Sequence, residues 1–253
     1  MTAPLSTSGT RVRSERRVWC RRFAPETLLT LVLATCFLIG PRAFAEDKKP
    51  AAPGPAAKLI ETKIDVHQFR VVEAYSGSVS YYRIIEDPTE PFIRAVYHPK
   101  LETVTLGIEV PDDLRSNTKL LRWKWRAMVL PKNGDECARG MTDSAAVVYL
   151  SWKRGLKWYS LKYVWSSVGK KGQVCDQKRN LFVVQDTVIL ESGGPTGVWK
   201  TEEINPSKEF LAHFENGNPN GDVPDFIGVG LMSDGDQTES VSAADYAGFA
   251  LLH

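Results

Sequence analysis

The sequence predicts an all-β fold, a two-sheet sandwich of the jelly-roll kind with one short helix. β-branched and aromatic residues alternate with polar ones in short runs, and Pro, Gly, Asn and Asp separate these runs. A single segment carries the start and stop signals of a helix. Eight or more strands with one helix favour a sandwich, because each sheet must bury one face against another layer.

The two clearest strands lie within residues 103–110 and 121–129, where one face is apolar and the other polar or charged. The apolar positions are Val104, Leu106, Ile108 and Val110 in the first, and Leu121, Trp123, Trp125, Ala127 and Val129 in the second. Further strands are expected at Phe92–Tyr97, Ala145–Trp152, Leu156–Trp165, Leu181–Leu190, Phe226–Met232 and Asp245–Leu252. Lys153-Arg154-Gly155 predicts a hairpin turn.

The helix is expected at Pro206–Phe214. Asn205 is a good N-cap, Pro206 suits the first helical position, and Gly217 follows the end.

Residues 1–45 resemble a secretory signal peptide. Arginines between Arg11 and Arg22 precede the apolar run Leu28–Ile39 and the small-residue site Ala43-Phe44-Ala45. The run is shorter than the roughly twenty residues that a membrane-spanning helix needs. We therefore expect cleavage after Ala45 and no transmembrane span in the mature form. Lipidation at Cys36 is the alternative that the sequence leaves open.

The mature chain is expected to comprise a Pro/Ala-rich linker, residues 46–58, and one β-sandwich domain, residues 59–253. Without residues 1–45, 25 Lys and Arg face 28 Asp and Glu. This balance argues against a nucleic-acid partner. Cys137 and Cys175 are the two cysteines that remain, and in an oxidising compartment they predict one disulfide. The expected location is periplasmic or secreted.

Four segments together resemble the uncharacterised bacterial domain-of-unknown-function family 3047. They are residues 121–125 (LRWKW), 143–150 (DSAAVVYL), 163–165 (YVW) and 227–236 (IGVGLMSDGD). The resemblance covers about Leu59 to His253. It implies an exported β-sandwich similar to the galactose-binding-type jelly rolls found as carbohydrate-binding modules, and no established activity.

Six tryptophans in the predicted domain divide into two groups. Trp123, Trp125, Trp165 and Trp199 are assigned to the core. The other two, Trp152 and Trp158, flank a charged hairpin turn, where they are candidates for stacking on a ligand. The candidate ligand-binding residues are Trp152, Lys153, Arg154, Lys157 and Trp158.

Closely spaced acids before the last predicted strand are the candidate metal ligands. Asp234, Asp236 and Glu239 offer oxygens that suit a structural calcium ion, and an Asx-rich turn explains the same residues equally well. No other cofactor is expected.

The sequence favours non-catalytic binding of a saccharide or cell-envelope glycan. No G-x-S-x-G motif and no histidine pair with helical metal-site spacing occurs in the chain. One alternative is an envelope polysaccharide hydrolase with a carboxylate pair such as Asp143 and Asp186. Another is a purely structural envelope protein.

Overall fold

The computed structural model describes residues 58–253, without the side chain of Asp176. The predicted signal peptide, the linker up to residue 57 and Cys36 lie outside these residues. The strands are β1 (Glu61–Lys63), β2 (Arg70–Val71), β3 (Tyr82–Ile85), β4 (Phe92–Tyr97), β5 (Thr105–Glu109), β6 (Leu120–Val129), β7 (Ser144–Arg154), β8 (Lys157–Ser166), β9 (Val174–Arg179), β10 (Val183–Ser192), β11 (Lys200–Ile204), β12 (Phe226–Met232) and β13 (Ser242–Leu252). The α-helices are α1 (Asp112–Arg115) and α2 (Pro206–Phe214), and Val66–Gln68 and Glu73–Tyr75 are short 3-10 helices.

The strands form two sheets that pack as a jelly-roll-like sandwich, as predicted. Sheet A has the order β11-β6-β13-β4-β3, with β1 paired to the far end of β13. Sheet B has the order β2-β5-β12-β7-β8-β10-β9. The pairing of β8 with β10 is parallel, whereas the other pairings of sheet B are antiparallel.

The core lies between the two sheets and is rich in aromatic residues. Trp123 and Trp125 of β6 are fully buried and meet edge to face, while Arg122 and Lys124 on the other face are partly exposed. Trp125 also packs against Trp165 of sheet B. The predicted alternation in β6 is therefore confirmed from Leu121 to Ala127. The prediction that Val129 shares the buried face is wrong: it is 42% exposed, because the pairing with β13 shifts register between Ala127 and Val129.

Helix α2 has the predicted bounds and the predicted cap. The Asn205 side chain accepts a hydrogen bond of 2.9 Å from the Lys208 backbone N–H. Phe210 is fully buried and packs on Trp152 and Tyr159, so the helix closes one end of the sandwich. No helix within residues 58–253 is long and apolar enough to cross a membrane.

Candidate functional site: the outer face of sheet B

The outer face of sheet B, which points away from sheet A, is defined by the alternation along its strands. Val148, Leu150 and Trp152 of β7 belong to the core between the sheets, whereas Val147 and Tyr149 pack into a separate cluster on the opposite side. Continuing the alternation places Ser151 and Lys153 on this outer face.

The strand register aligns a row of small and polar residues across this face. Ser151 of β7 pairs with Gly228 of β12 and with Ser160 of β8, and Ser160 pairs in turn with Gln185 of β10. All four residues are partly exposed. Glu109 lies beside Gly228 at one end of the row, and Lys178 lies beside Gln185 at the other.

Larger side chains flank this row on both sides. One register step toward the turn, Lys153 pairs with Trp158, and one step the other way, Tyr149 pairs with Lys162. Trp158 is 42% exposed, with the Lys153 ammonium 4.9 Å from its ring centroid. On β7 and β8 the row therefore lies lower than the side chains on either side of it, and we call the row with these flanks the sheet B groove.

The loop between β6 and β7 covers one end of the outer face and limits the groove there. Glu136 of this loop is buried and accepts hydrogen bonds of 2.9 and 3.1 Å from the ammonium of Lys162. Its carboxylate also accepts a bond of 2.6 Å from the Ser144 hydroxyl. Burial alone would lower the pKa of Lys162, but the attraction of Glu136 outweighs it and raises the pKa.

The predicted disulfide ties the same loop to sheet B. Cys137, next to Glu136, is bonded to Cys175 of β9, which closes a sequence separation of 38 residues. The backbone of Cys175 lies opposite Thr187, and Thr187 lies opposite Lys162. The Cys137–Cys175 disulfide and the buried Lys162–Glu136 ion pair therefore attach the loop to sheet B at neighbouring positions.

Trp152 does not belong to the candidate ligand surface, so the prediction for this residue is wrong. It is fully buried, with rings of Phe210, Phe214 and Phe226 within 5.6–6.2 Å of its own. The reason is that the Trp152 side chain points into the core at the end of the sandwich that α2 and the start of β12 cover. Trp158, six residues later, points outward.

The three basic candidates have different surroundings. Lys153 is exposed and lies over Trp158, and the Lys157 ammonium lies 5.6 Å from the ring centroid of Tyr159. Arg154 forms salt bridges with Glu215 and Asp222 instead. Of these three cations, Lys153 therefore lies beside the sheet B groove, and Arg154 serves to attach the segment after α2.

A concavity on the outer face of sheet A is a further candidate. It has a volume of about 720 Å³, and Arg122, Lys124 and Thr201 contribute to its lining. Arg122 is paired with Glu203 and Glu61 there. The one aromatic ring in its lining, Phe249, is buried, so this concavity offers no open ring for stacking.

The predicted metal ligands are partly brought together. Within residues 58–253, Asp143, Asp234 and Asp236 have carboxylate oxygens that all lie within 4.8 Å of one another. Glu239 is not part of this cluster, so its assignment is wrong; it lies in the following turn with a φ of 47°. Asp143 takes its place because the pairing of β7 with β12 brings the start of one strand to the end of the other.

Hydrogen bonds already hold two of these carboxylates. Asp143 accepts bonds of 2.7 and 2.6 Å from the backbone N–H and the hydroxyl of Thr238, and Asp234 accepts one of 3.0 Å from the Ser144 N–H. Burial raises the pKa of Asp234 to about 7, opposed by Lys162. Burial and the neighbouring Asp143 raise the pKa of Asp236. The three oxygen ligands suit a hard cation, and calcium binding here stays a prediction.

Asp143 and Asp186 do not form the carboxylate pair of a glycosidase. Both are buried, and they bind different partners. Asp186 lies under α2, where its Oδ2 is 2.8 Å from Nδ1 of His213 and its Oδ1 pairs with Arg179. Neither carboxylate therefore faces an open cleft with the other opposite it.

Sequence reasoning missed the groove floor and the buried Lys162–Glu136 pair. The signal for the floor was present, since Tyr149, Ser151 and Lys153 alternate with buried residues, as do Trp158, Ser160 and Lys162. Their alignment into one row depends on strand register, which the sequence did not supply.

The fold resembles several carbohydrate-active proteins at low sequence identity. A family 11 carbohydrate-binding module from Clostridium thermocellum, in complex with a β-1,3-1,4-mixed-linked tetrasaccharide, is 12% identical, with a TM-score of 0.40, and the match covers 78% of this chain and 96% of that chain. The xyloglucanase domain of NopAA from Sinorhizobium fredii is 10% identical, with a TM-score of 0.39 over 75% and 96% of the two chains. Endoglucanase 3 of Trichoderma harzianum, from family GH12, is 10% identical, with a TM-score of 0.34 over 79% and 99%.

No curated protein sequence matches the chain significantly. By contrast, the sequence profile of one domain family matches residues 74–250, which span β3 to β13 and most of the chain. This chain belongs to the family described as Protein of unknown function (DUF3047).

Proposed function

We propose that this domain binds a saccharide chain in the sheet B groove and does not cleave it. The observation that carries the proposal is the row of Gly228, Ser151, Ser160 and Gln185 on an open sheet face, with the exposed Trp158 beside it.

The shape of the groove suits an extended ligand. Its floor crosses four neighbouring strands, β12, β7, β8 and β10, which are about 4.8 Å apart in a sheet. The floor therefore extends over roughly 15 Å, the length of several linked sugar rings. Gly228 has no side chain to stand above the floor, and a Cβ there would make a close contact of 3.2 Å with the carbonyl oxygen of Ile108.

The chemistry of the groove also suits a saccharide. Sugar hydroxyls both donate and accept hydrogen bonds, and the groove offers two serine hydroxyls and the Gln185 amide, which do the same. Sugar rings present apolar C–H faces, and the Trp158 indole is a large apolar surface beside the floor. The ammonium of Lys153 adds a donor at the rim.

Binding without cleavage is proposed because the row that forms the groove floor carries no pair of opposed carboxylates. Canonical glycosidases place two carboxyl groups across the scissile bond. Of the six residues aligned in the row, Glu109 at one end is the sole acid.

We also infer that the protein acts outside the cytoplasm, as a periplasmic or secreted protein. The Cys137–Cys175 disulfide supports this, since such bonds persist in oxidising compartments. The basic, apolar and small-residue order of residues 1–45 supports it independently.

The test is a panel of envelope and plant-type glycans screened with the parent protein, followed by calorimetric titration of variants. Ser160→Tyr places a bulky side chain at a partly exposed position of the groove floor, and Trp158→Ala removes the stacking surface. Thr201→Tyr makes the same kind of change in the sheet A concavity, and Tyr75→Ala removes an aromatic side chain that is 78% exposed elsewhere.

We expect the two groove variants to bind at least about tenfold more weakly, equivalent to about 1.4 kcal/mol, with both controls unchanged. Thermal unfolding of all four variants should remain cooperative. Binding that is lost in Thr201→Tyr and kept in Ser160→Tyr would assign the ligand to sheet A. Absence of any bound glycan on the panel would contradict the proposal and favour a structural role.

A further inference from the structure

Two hairpin turns meet at one end of sheet B and expose a group of large apolar side chains. The parallel pairing of β8 with β10 places the β7–β8 turn and the β9–β10 turn at the same end of the sheet. Leu156 in the first turn is 80% exposed, and Leu181 and Phe182 in the second are 81% and 58% exposed. We call these three residues the apolar tip.

The second turn is held in a defined shape, so its apolar residues protrude. The Asn180 side chain accepts hydrogen bonds of 2.9 and 2.7 Å from the backbone N–H groups of Phe182 and Val183. The carbonyl of Phe182 in turn accepts a hydrogen bond of 2.7 Å from the backbone N–H of Trp158, which joins the turn to β8. These bonds fix the backbone of the turn in the conformation that leaves the side chains of Leu181 and Phe182 exposed.

The two chain segments that carry the apolar tip are rich in basic residues. Residues 152–158 and 177–183 contain five Lys and Arg and no acid, whereas residues 58–253 as a whole contain 23 Lys and Arg against 26 Asp and Glu. Acids outside these segments pair with two of these cations: Glu215 and Asp222 with Arg154, and Asp186 with Arg179. Lys153 and Lys157 lie over aromatic rings of β8 next to the tip.

We propose that the apolar tip docks this domain on an anionic lipid surface, with Leu156, Leu181 and Phe182 entering the headgroup region and Lys153 and Lys157 facing the lipid phosphates. The proposal concerns a different surface and ligand from the sheet B groove, although Trp158 borders both.

A lipid surface fits this arrangement better than a folded partner does. The three side chains protrude from convex turns, so a protein partner would need matching pockets, whereas a lipid interface admits them without a preformed cavity. Lysines can extend to the headgroups while their aliphatic stems cover apolar surface. Buried apolar area and attraction to anionic lipids are the two terms that fix interfacial binding. The net negative remainder of the domain favours this end as the one that approaches.

The experiment is a co-sedimentation assay with vesicles of phosphatidylglycerol and phosphatidylethanolamine, and with vesicles of phosphatidylcholine alone. The tip variant is Leu181→Ser with Phe182→Ser. The matched control is Val79→Ser with Val168→Ser, two apolar residues that are 56% and 48% exposed, of which Val168 follows the end of β8 opposite the tip. A charge variant, Lys153→Gln with Lys157→Gln, tests the cations.

We expect the parent and the control to bind anionic vesicles, the tip variant to lose at least about tenfold in partitioning, and raised salt to weaken binding. The charge variant should bind anionic vesicles more weakly and show less salt dependence. Equal binding of the parent and the tip variant, or no binding of the parent, would overturn the proposal. Concentration-dependent self-association that the tip variant abolishes would overturn it in favour of a second copy of this chain. Ser160→Tyr should leave vesicle binding unchanged, so failure of the glycan proposal remains distinguishable.

Discussion

Ionisation of Asp234 is expected to make the folded domain less stable as the pH rises. The pKa of this buried carboxyl is about 7 in the fold, compared with an ordinary value of 3.8. Lys162 faces Asp234 as a cation, while Glu136 and Asp143 face it as acids. Between these two pKa values the folded state holds a proton that the unfolded chain releases. The stability that the folded domain gains by keeping Asp234 protonated is therefore complete below about pH 4 and is lost as the pH approaches 7.

The magnitude follows from the size of the pKa difference. One proton corresponds to about 1.4 kcal/mol per pH unit, so the free energy of unfolding should fall by up to about 4 kcal/mol across this interval. The assay is urea unfolding of the parent and of Asp234→Asn, in EDTA, at several pH values from about 4 to about 8. The asparagine keeps an oxygen for the Ser144 N–H and has no charge to bury. A stability difference between the two proteins that does not change with pH would refute the reasoning.

Calcium gives a second arm of the same experiment. A cation bound by Asp143, Asp234 and Asp236 would replace the proton, so calcium should stabilise the parent at about pH 8 more than at about pH 5. A free calcium concentration of about one hundred times the dissociation constant would add about 2.7 kcal/mol. No change in the melting temperature at about pH 8 would show the predicted calcium site to be wrong.

Two further predictions concern stability. Trp152→Ala should cost about 3–5 kcal/mol because it empties a site enclosed by three phenylalanine rings, whereas Trp158→Ala on the open face should cost within about 1 kcal/mol; chemical denaturation of both variants measures this. Replacing Cys137 and Cys175 together by Ser should cost about 4 kcal/mol, the chain-entropy value for a closed loop of 38 residues. An unchanged melting temperature under reducing conditions would contradict the second prediction.

Features that depend on neighbouring residues could be predicted from the sequence. The bounds and cap of α2 follow from Asn205, Pro206 and Gly217, whose effects act within one or two helical turns. The buried and open faces of β6 follow from a period of two in the sequence, which matches the alternation of side chains along a strand. Both are local rules, so one chain segment is enough to apply them.

Features that depend on the pairing of distant segments could not be predicted in the same way. Trp152 and Trp158 are equally hydrophobic and flank the same turn, and it is α2, more than fifty residues later, that encloses one of them. Asp143 meets Asp234 through the pairing of β7 with β12, which the order of strands in the chain does not indicate.

The fold class, helix α2, the inward face of β6 from Leu121 to Ala127 and the pairing of two cysteines were therefore predictable from local patterns. Tertiary structure decided which tryptophan is open, which acids cluster, that small residues of four strands form one groove, and that two hairpin turns share one end of a sheet. The physical reason is that strand register and sheet order arise from contacts between residues far apart in the chain. A pattern within one strand specifies the face of each side chain and leaves its neighbours across the sheet undetermined.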